Sequence, residues 1–259
     1  MLTGIRVTIV GGDARQLEVI RRLNDYDATL QLIGFDHWKQ PPTGVRMSKL
    51  SAESIAYSDA VILPVVGTDD AGRIETSFCS DELVLTPVLI EALPQHARVY
   101  TGMAKPYLKQ LCSNSTIHLT ELLDRDDVAI YNSIPTAEGA IMMAIQNTDF
   151  TIHGSYSMVL GMGRTGLTMA RTLKGMGSRV MAGVRKPEDF ARALEAGYEP
   201  FYINQLQEMA EKVDLVFNTV PSLILTGECD RQAAAARADH RFGIPTRGDR
   251  FPLCGKKRN

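Results

Sequence analysis

Residues 158–166 read Met-Val-Leu-Gly-Met-Gly-Arg-Thr-Gly. Gly161, Gly163 and Gly166 fit G-x-G-x-x-G, the pattern of a turn that holds a dinucleotide pyrophosphate. Each glycine answers a separate demand. Gly161 permits a tight strand-to-helix turn, Gly163 leaves room for a phosphate against the backbone, and Gly166 lets helix and strand pack closely. Arg164 and Thr165 open the helix, whose free N–H groups and positive dipole end attract the phosphates. The setting is right for such a site. An apolar strand over 156–160 precedes the glycines, an amphipathic helix over 165–176 follows, and a second strand runs over 179–184.

Other residues add to this chemistry. Arg185 follows the second strand, where an NAD site usually carries Asp or Glu; a basic residue suits the 2′-phosphate of NADP. NADP is therefore favoured, with NAD the alternative. Asn218, Thr219 and Pro221 close the strand expected over 215–219 and are read as bordering the nicotinamide ribose. Near the start of the chain, Gly11-Gly12-Asp13-Ala14-Arg15-Gln16 follows the first strand. Two glycine amides and Arg15 at a helix start make a seat for an anionic substrate, since Arg binds carboxylates bidentately. Asp13, Arg15 and Gln16 are its candidate contacts; the alternative is that Asp13 only caps the helix. Lys105 is a weaker candidate for the same region. His153 is read as structural, and Cys79, Cys112, Cys229 and Cys254 lack metal spacing and read as unpaired thiols.

Strands are expected over 5–10, 29–34, 60–65, 98–101 and 116–119, interleaved with helices, and 66–81 reads as a loop. Such alternation means a parallel sheet with helices on both faces. The fold class is α/β, with two Rossmann-like domains joined by a long helix. The first domain is expected over 1–130, the helix over 131–150, and an incomplete nucleotide-binding domain over 151–226. Asn132-Ser133-Ile134-Pro135 reads as the helix start, with a cap and a first-turn proline. Ile141, Met142 and Ile145 then fall at helical spacing and read as packing residues. Ligands of such folds lie beyond the carboxyl ends of the strands, so a cleft between the domains is the expected seat of chemistry.

Composition excludes other classes. The chain has 259 residues, 44% hydrophobic and 22% charged, with net charge −2. No basic field points to nucleic acid, and no apolar run reaches the ~18 residues of a membrane span. The chain enters a strand directly, without a signal peptide, so a cytoplasmic setting is expected.

After Thr226 the character changes. Residues 227–259 carry eight Lys/Arg against four Asp/Glu, with an Ala run and Arg/Gly/Pro-rich text. This segment reads as a disordered tail or, more sharply, as a shifted reading frame. Codons permitted for Ala238 through Lys256 can, one base away, encode Leu-Ile-Ile-Asp-Leu-Ala-Ser-Arg-Pro-Gly-Gly-Thr-Asp-Phe-Arg-Tyr-Ala-Glu-Lys, which opens like a buried strand. As translated, the strand over 215–219 is expected to leave an open sheet edge.

Residues 1 to about 226 resemble the dipicolinate synthase A-subunit family of spore-forming bacteria. The resemblance rests on Gly11 to Gln16, on Leu160-Gly161-Met162-Gly163-Arg164-Thr165-Gly166 and on Asn218-Thr219-Val220-Pro221-Ser222. Its most specific stretch is Glu121-Leu122-Leu123-Asp124-Arg125-Asp126-Asp127-Val128-Ala129-Ile130-Tyr131-Asn132-Ser133-Ile134-Pro135-Thr136. The family continues with Asp-Leu-Ala-Ser-x-Pro-Gly-Gly, which the shifted frame restores. The resemblance implies oxidation of dihydrodipicolinate to dipicolinate in the mother-cell cytoplasm, with a flavoprotein-like B subunit for a partner. It implies a small dicarboxylate substrate held by Arg15 and oriented by Asn132 and Thr136; a homo-oligomer is left open. Two alternatives remain: a nucleotide-binding regulatory subunit without catalysis, and a 2-hydroxyacid-dehydrogenase-like oxidoreductase, which the absence of a visible His–carboxylate relay disfavours.

Overall fold

The computed structural model describes residues 1–220 and the backbone of 242–245. These fall into two compact units, Met1–Arg125 and Asp126–Asn259.

The first unit opens with β1 (Arg6–Val10), α1 (Ala14–Asp25) and β2 (Thr29–Ile33), then β3 (Arg46–Ser48), α2 (Ala52–Ile55) and β4 (Ala60–Ile62). A two-stranded hairpin, β5 (Arg73–Ile74) and β6 (Leu83–Val84), precedes α3 (Pro87–Glu91), β7 (Arg98–Thr101), α4 (Pro106–Asn114) and β8 (His118–Glu121). The main sheet runs β3-β2-β1-β4-β7-β8, and every pair in it is parallel. Alternate residues serve opposite faces. Val7, Ile9, Leu30 and Leu32 pack with Ile20 of α1, while Val10, Ile33, Val61 and Leu63 pack with α3 and α4.

Two elements depart from the sequence expectation. β3 is too polar to announce itself, and the hairpin begins inside the stretch read as loop. Strands of two or three residues offer no period to detect; their neighbours fix them.

The second unit begins with α5 (Asp126–Asn147), then β9 (Tyr156–Leu160), α6 (Arg164–Gly175), β10 (Arg179–Val184), α7 (Pro187–Glu195), β11 (Glu199–Tyr202), α8 (Leu206–Ala210), β12 (Leu215–Asn218) and β13 (Phe242–Pro245). Its sheet is parallel throughout, in the order β11-β10-β9-β12-β13. No helix among the described residues is long and apolar enough to cross a membrane.

Three expectations need correction here. First, the long helix starts at Asp126, not near Asn132. Asp126 and Asp127 in its first turn suit the positive helix end, and Pro135 lies inside the helix. Proline removes the N–H that would pair with the Tyr131 carbonyl; Tyr131 is exposed, so water can serve it. Neighbouring carbonyls gain hydroxyl donors: Ser133 Oγ donates to Ile130 O at 2.6 Å and Thr136 Oγ1 to Asn132 O at 2.7 Å. Second, the helix packs as part of the second unit, through Ala137, Ala140, Ile141 and Ala144 against Met169, Ala170 and Leu173. Small residues allow that close approach, so Met142 and Ile145 turn outward and are more than half exposed. Third, β12 does not leave an open edge. Phe242–Pro245 pairs with it in parallel, Leu215 opposite Phe242 and Asn218 opposite Pro245. Among the described residues β13 is the edge strand of this sheet, where a proline is tolerated. The rest of the expected tail, 227–241 and 246–259, lies outside the described residues.

Candidate functional site

In both units the strand order reverses beside the first strand, which creates a crevice at the carboxyl ends. In the second unit the reversal lies between β10 and β12, on either side of β9, and the three glycines stand there. Gly161 has φ +89°, and a Cβ on it would meet Val220 Cγ2 at 2.7 Å. A Cβ on Gly166 would stand 1.8 Å from the Gly161 carbonyl oxygen, so helix and turn touch backbone to backbone. Gly163 differs: a Cβ there would meet nothing within 4 Å. That open space faces the start of α6, which begins at Gly163 with no side-chain cap. A bare helix start beside an unfilled glycine is what a pyrophosphate needs. The donor set therefore fits a dinucleotide.

The neighbouring residues shape this turn. Gly161 N donates to Gly183 O at 2.8 Å. Thr219 Oγ1 donates to Leu160 O at 2.8 Å and Gly161 O at 3.2 Å, and buried Asn218 accepts from Val220 N at 3.0 Å. Both side chains help hold the loop that the sequence reads as bordering the nicotinamide ribose. Arg164 Nη1 donates to Asp126 Oδ1 at 2.9 Å, which ties α6 to α5. Thr165 is half-buried in the first turn, and Arg185 is exposed just past β10. Pro221 lies outside the described residues. Asn132 and Thr136 sit one turn apart on α5, Asn132 exposed and Thr136 bonded to the Asn132 carbonyl. Between them Ser133 Oγ shares a 2.7 Å hydrogen bond with Thr168 Oγ1 of α6.

In the first unit the reversal lies between β2 and β4, on either side of β1, and a pocket of about 40 Å³ opens there. Gly12, Asp13, Arg15 and Gln16 line one side, Pro64 to Val66 another, and Glu75 a third. The space suits a carboxylate rather than a whole ring. Asp13 caps α1 by accepting from Arg15 N at 2.9 Å, and it also grips the Arg15 side chain. Arg15 Nε lies 3.0 Å from both carboxylate oxygens and Nη2 lies 2.6 Å from Oδ2. The two readings of Asp13 thus merge into one arrangement. The pair holds the Asp13 carboxyl below its ordinary range and raises Arg15, with the nearby Glu75 charge adding to the latter. Guanidinium has five donors, so the Nη1 edge stays available to a ligand.

One expectation fails at this pocket. The Gly11 and Gly12 amides are not an anion seat, because they donate to Ile33 O at 2.9 Å and Glu75 O at 2.8 Å. The glycines instead allow residues 75–77 to approach, since a Cβ on Gly11 would meet Glu75 O at 2.7 Å. Gln16 is buried, and its Nε2 donates to Leu63 O at 3.2 Å. Lys105 pairs with Asp70 at 3.7 Å outside this lining. Glu75 was missed by sequence reading because it lies in a stretch without period; the bridge between Gly12 and Thr76 carries it to the pocket.

The A subunit of dipicolinate synthase from Bacillus subtilis (strain 168) is 43% identical over 225 residues, 87% of this chain and 76% of its own. The chain belongs to the dipicolinate synthase A-subunit family. The model of that family's N-terminal domain matches residues 6–123, the extent of the first unit. The crystal structure of the dipicolinate synthase A subunit from Bacillus halodurans is similar with TM-score 0.86 and 43% identity, covering 93% of this chain and 82% of that one. D-lactate dehydrogenase from Escherichia coli shares the fold alone, with TM-score 0.52 and 17% identity over 88% of this chain and 70% of that one. The likeness to that dehydrogenase is one of fold, two units each built on a parallel sheet with helices.

Proposed function

We propose that this chain oxidises dihydrodipicolinate to dipicolinate as the A subunit of a two-component synthase, using NADP. The observation that carries the reading is the open position at Gly163 beside the bare start of α6. When bound, the nicotinamide supplies a two-electron hydride acceptor. The ring of the substrate loses a hydride and a proton and becomes an aromatic pyridine. That gain in aromatic stability lessens the need for a strong base. Arg15, gripped on one edge by Asp13, holds a substrate carboxylate on its other edge. Glu75, on the wall of the same pocket, takes the proton. Asn132 and Thr136 orient the ring. Arg185 binds the 2′-phosphate of NADP, so Arg185→Asp shifts preference towards NAD; an unmoved NADP/NAD affinity ratio makes Arg185 a plain surface charge. On this reading the chain works in the mother cell with a flavoprotein-like B subunit.

A second reading makes the chain a nucleotide-binding regulatory subunit whose partner performs the oxidation. The small pocket and the engaged Arg15 favour it, because the pocket contains no histidine or second free base. One assay separates the two: dihydrodipicolinate and NADP are given to this chain alone, to its partner alone, and to both. NADPH formation that is lost with Arg15→Ala or Gly163→Val of this chain supports catalysis. Turnover by the partner alone, merely modulated by this chain, supports regulation.

A further inference from the structure

Strands of a parallel sheet covered by helices are apolar on both faces. The face of the first unit that carries Val10, Ile33 and Leu63 obeys this at the carboxyl half of its strands. At the amino half it does not. Thr8, Gln31 and Arg46 stand in one row across β1, β2 and β3. The cause is the helix above them. α2 has four residues, about 6 Å of helix at 1.5 Å per residue. It buries Ile55 in the core and leaves the rest of the face uncovered. A groove of about 660 Å³ remains, within the size of ordinary ligand sites (roughly 300–1,000 Å³).

The floor of the groove is satisfied from within. Thr8 Oγ1 and Ser58 Oγ share a 2.6 Å hydrogen bond, and Gln31 Nε2 donates to Ser54 O at 2.6 Å. The rim is different. It carries Arg6, Arg46 and Lys49 against the single carboxylate Glu53. Glu53 turns back onto its own amide and the Ser51 hydroxyl. Arg6 is half-engaged, its Nε 3.7 Å from Asp59 and its guanidinium 5.8 Å from the Tyr57 ring centre. The side chains of Arg46 and Lys49 have no polar partner among the described residues. Tyr57 is 68% exposed and offers its ring as a wall.

We propose that this groove is a second binding site, for a small organic dianion with a planar ring. The ring stacks on Tyr57, and the charges meet Arg46, Lys49 and the free side of Arg6. The groove opens at the amino ends of β1 and β2, whereas the Arg15 pocket opens at their carboxyl ends. Its occupant therefore takes no part in chemistry at that pocket and acts by stabilising the first unit. The dianion is a dicarboxylate or a phosphate monoester; both offer the same charge to the rim.

The test is a titration of the full-length chain, followed by backbone amide NMR shifts. The probes are benzene-1,3-dicarboxylate, phenyl phosphate, inorganic phosphate and benzoate. One of the first two should saturate and shift the amides of Gln31 and Ser48–Lys49, and which one does so identifies the source of the dianion. Inorganic phosphate and benzoate, each lacking one feature, should bind more weakly. Arg46→Ala with Lys49→Ala should weaken binding by about tenfold or more with an unchanged melting temperature. Arg46→Gln serves as the gentler variant should the double one fold poorly, with a several-fold loss expected. If neither ring-bearing probe moves these amides through the millimolar range, or if the variants bind as the parent does, the proposal is overturned.

Discussion

Gly163 and Gly166 belong to one motif but carry different burdens. At Gly166 a Cβ would lie 1.8 Å from the Gly161 carbonyl, so Gly166→Ala must push α6 away from the turn. Overpacking of this kind costs about 1–3 kcal/mol or more, and a clear fall in the melting temperature is expected. At Gly163 the space is open, so Gly163→Ala should cost only the cap preference of glycine over alanine, about 1 kcal/mol or less. The Asp13–Arg15 pair gives a pH prediction. Arg15 lowers the Asp13 carboxyl, so the stability it lends is present in full above the ordinary carboxylate pKa (about 3.9) and is lost as pH falls through the lowered folded value. Stability from this pair is therefore flat from pH 5 to 8 (about that window), and Arg15→Ala unfolds at slightly higher pH in an acid titration. The effect is small because both side chains are exposed. An acid midpoint that does not move would remove the pair from the stability account. Burial pushes the Cys112 thiol up to about 11, so it should resist alkylation in the folded protein and react once the protein is unfolded. The glycines were legible because their chemistry is that of a missing side chain, written directly in the sequence. The engagement of Asn218, Thr219 and Gln16 was not, because it depends on carbonyls far away along the chain.

Among elements, legibility followed burial. β1, β9, β10 and β12 are strands with neighbours on both sides, and their apolar runs give them away. β3 and β13 are edge strands and β5–β6 a minimal hairpin, so local pattern says little about them. The start of α5 was misread because Pro135 suits a first turn as well as it suits a strained interior. That strain is testable. Pro135→Ala returns an N–H to the Tyr131 carbonyl and should stabilise the second unit by about 1–3 kcal/mol, seen as a raised denaturant midpoint. A fall in stability would mean that the helix is built around the proline.

At the scale of the molecule, each hydrophobic cluster among the described residues stays within one unit. Those around Val10 and around Val7 lie in Met1–Arg125, and those around Val159 and around Met158 lie beyond it. A fragment of residues 1–125 should therefore unfold cooperatively on its own, and a broad, non-cooperative melt would show that it borrows its core. Dinucleotide binding should belong to the second unit. The most direct measurement is a fluorescence titration of NADPH, repeated with NADH, into the full chain and its Gly163→Val variant, each checked by thermal melting. The account predicts saturable binding by the parent chain and a loss of about tenfold or more in the variant, with both still melting cooperatively, because a Cβ at position 163 meets no protein atom within 4 Å. Equal affinity for the two proteins, or no binding by the parent, would contradict it.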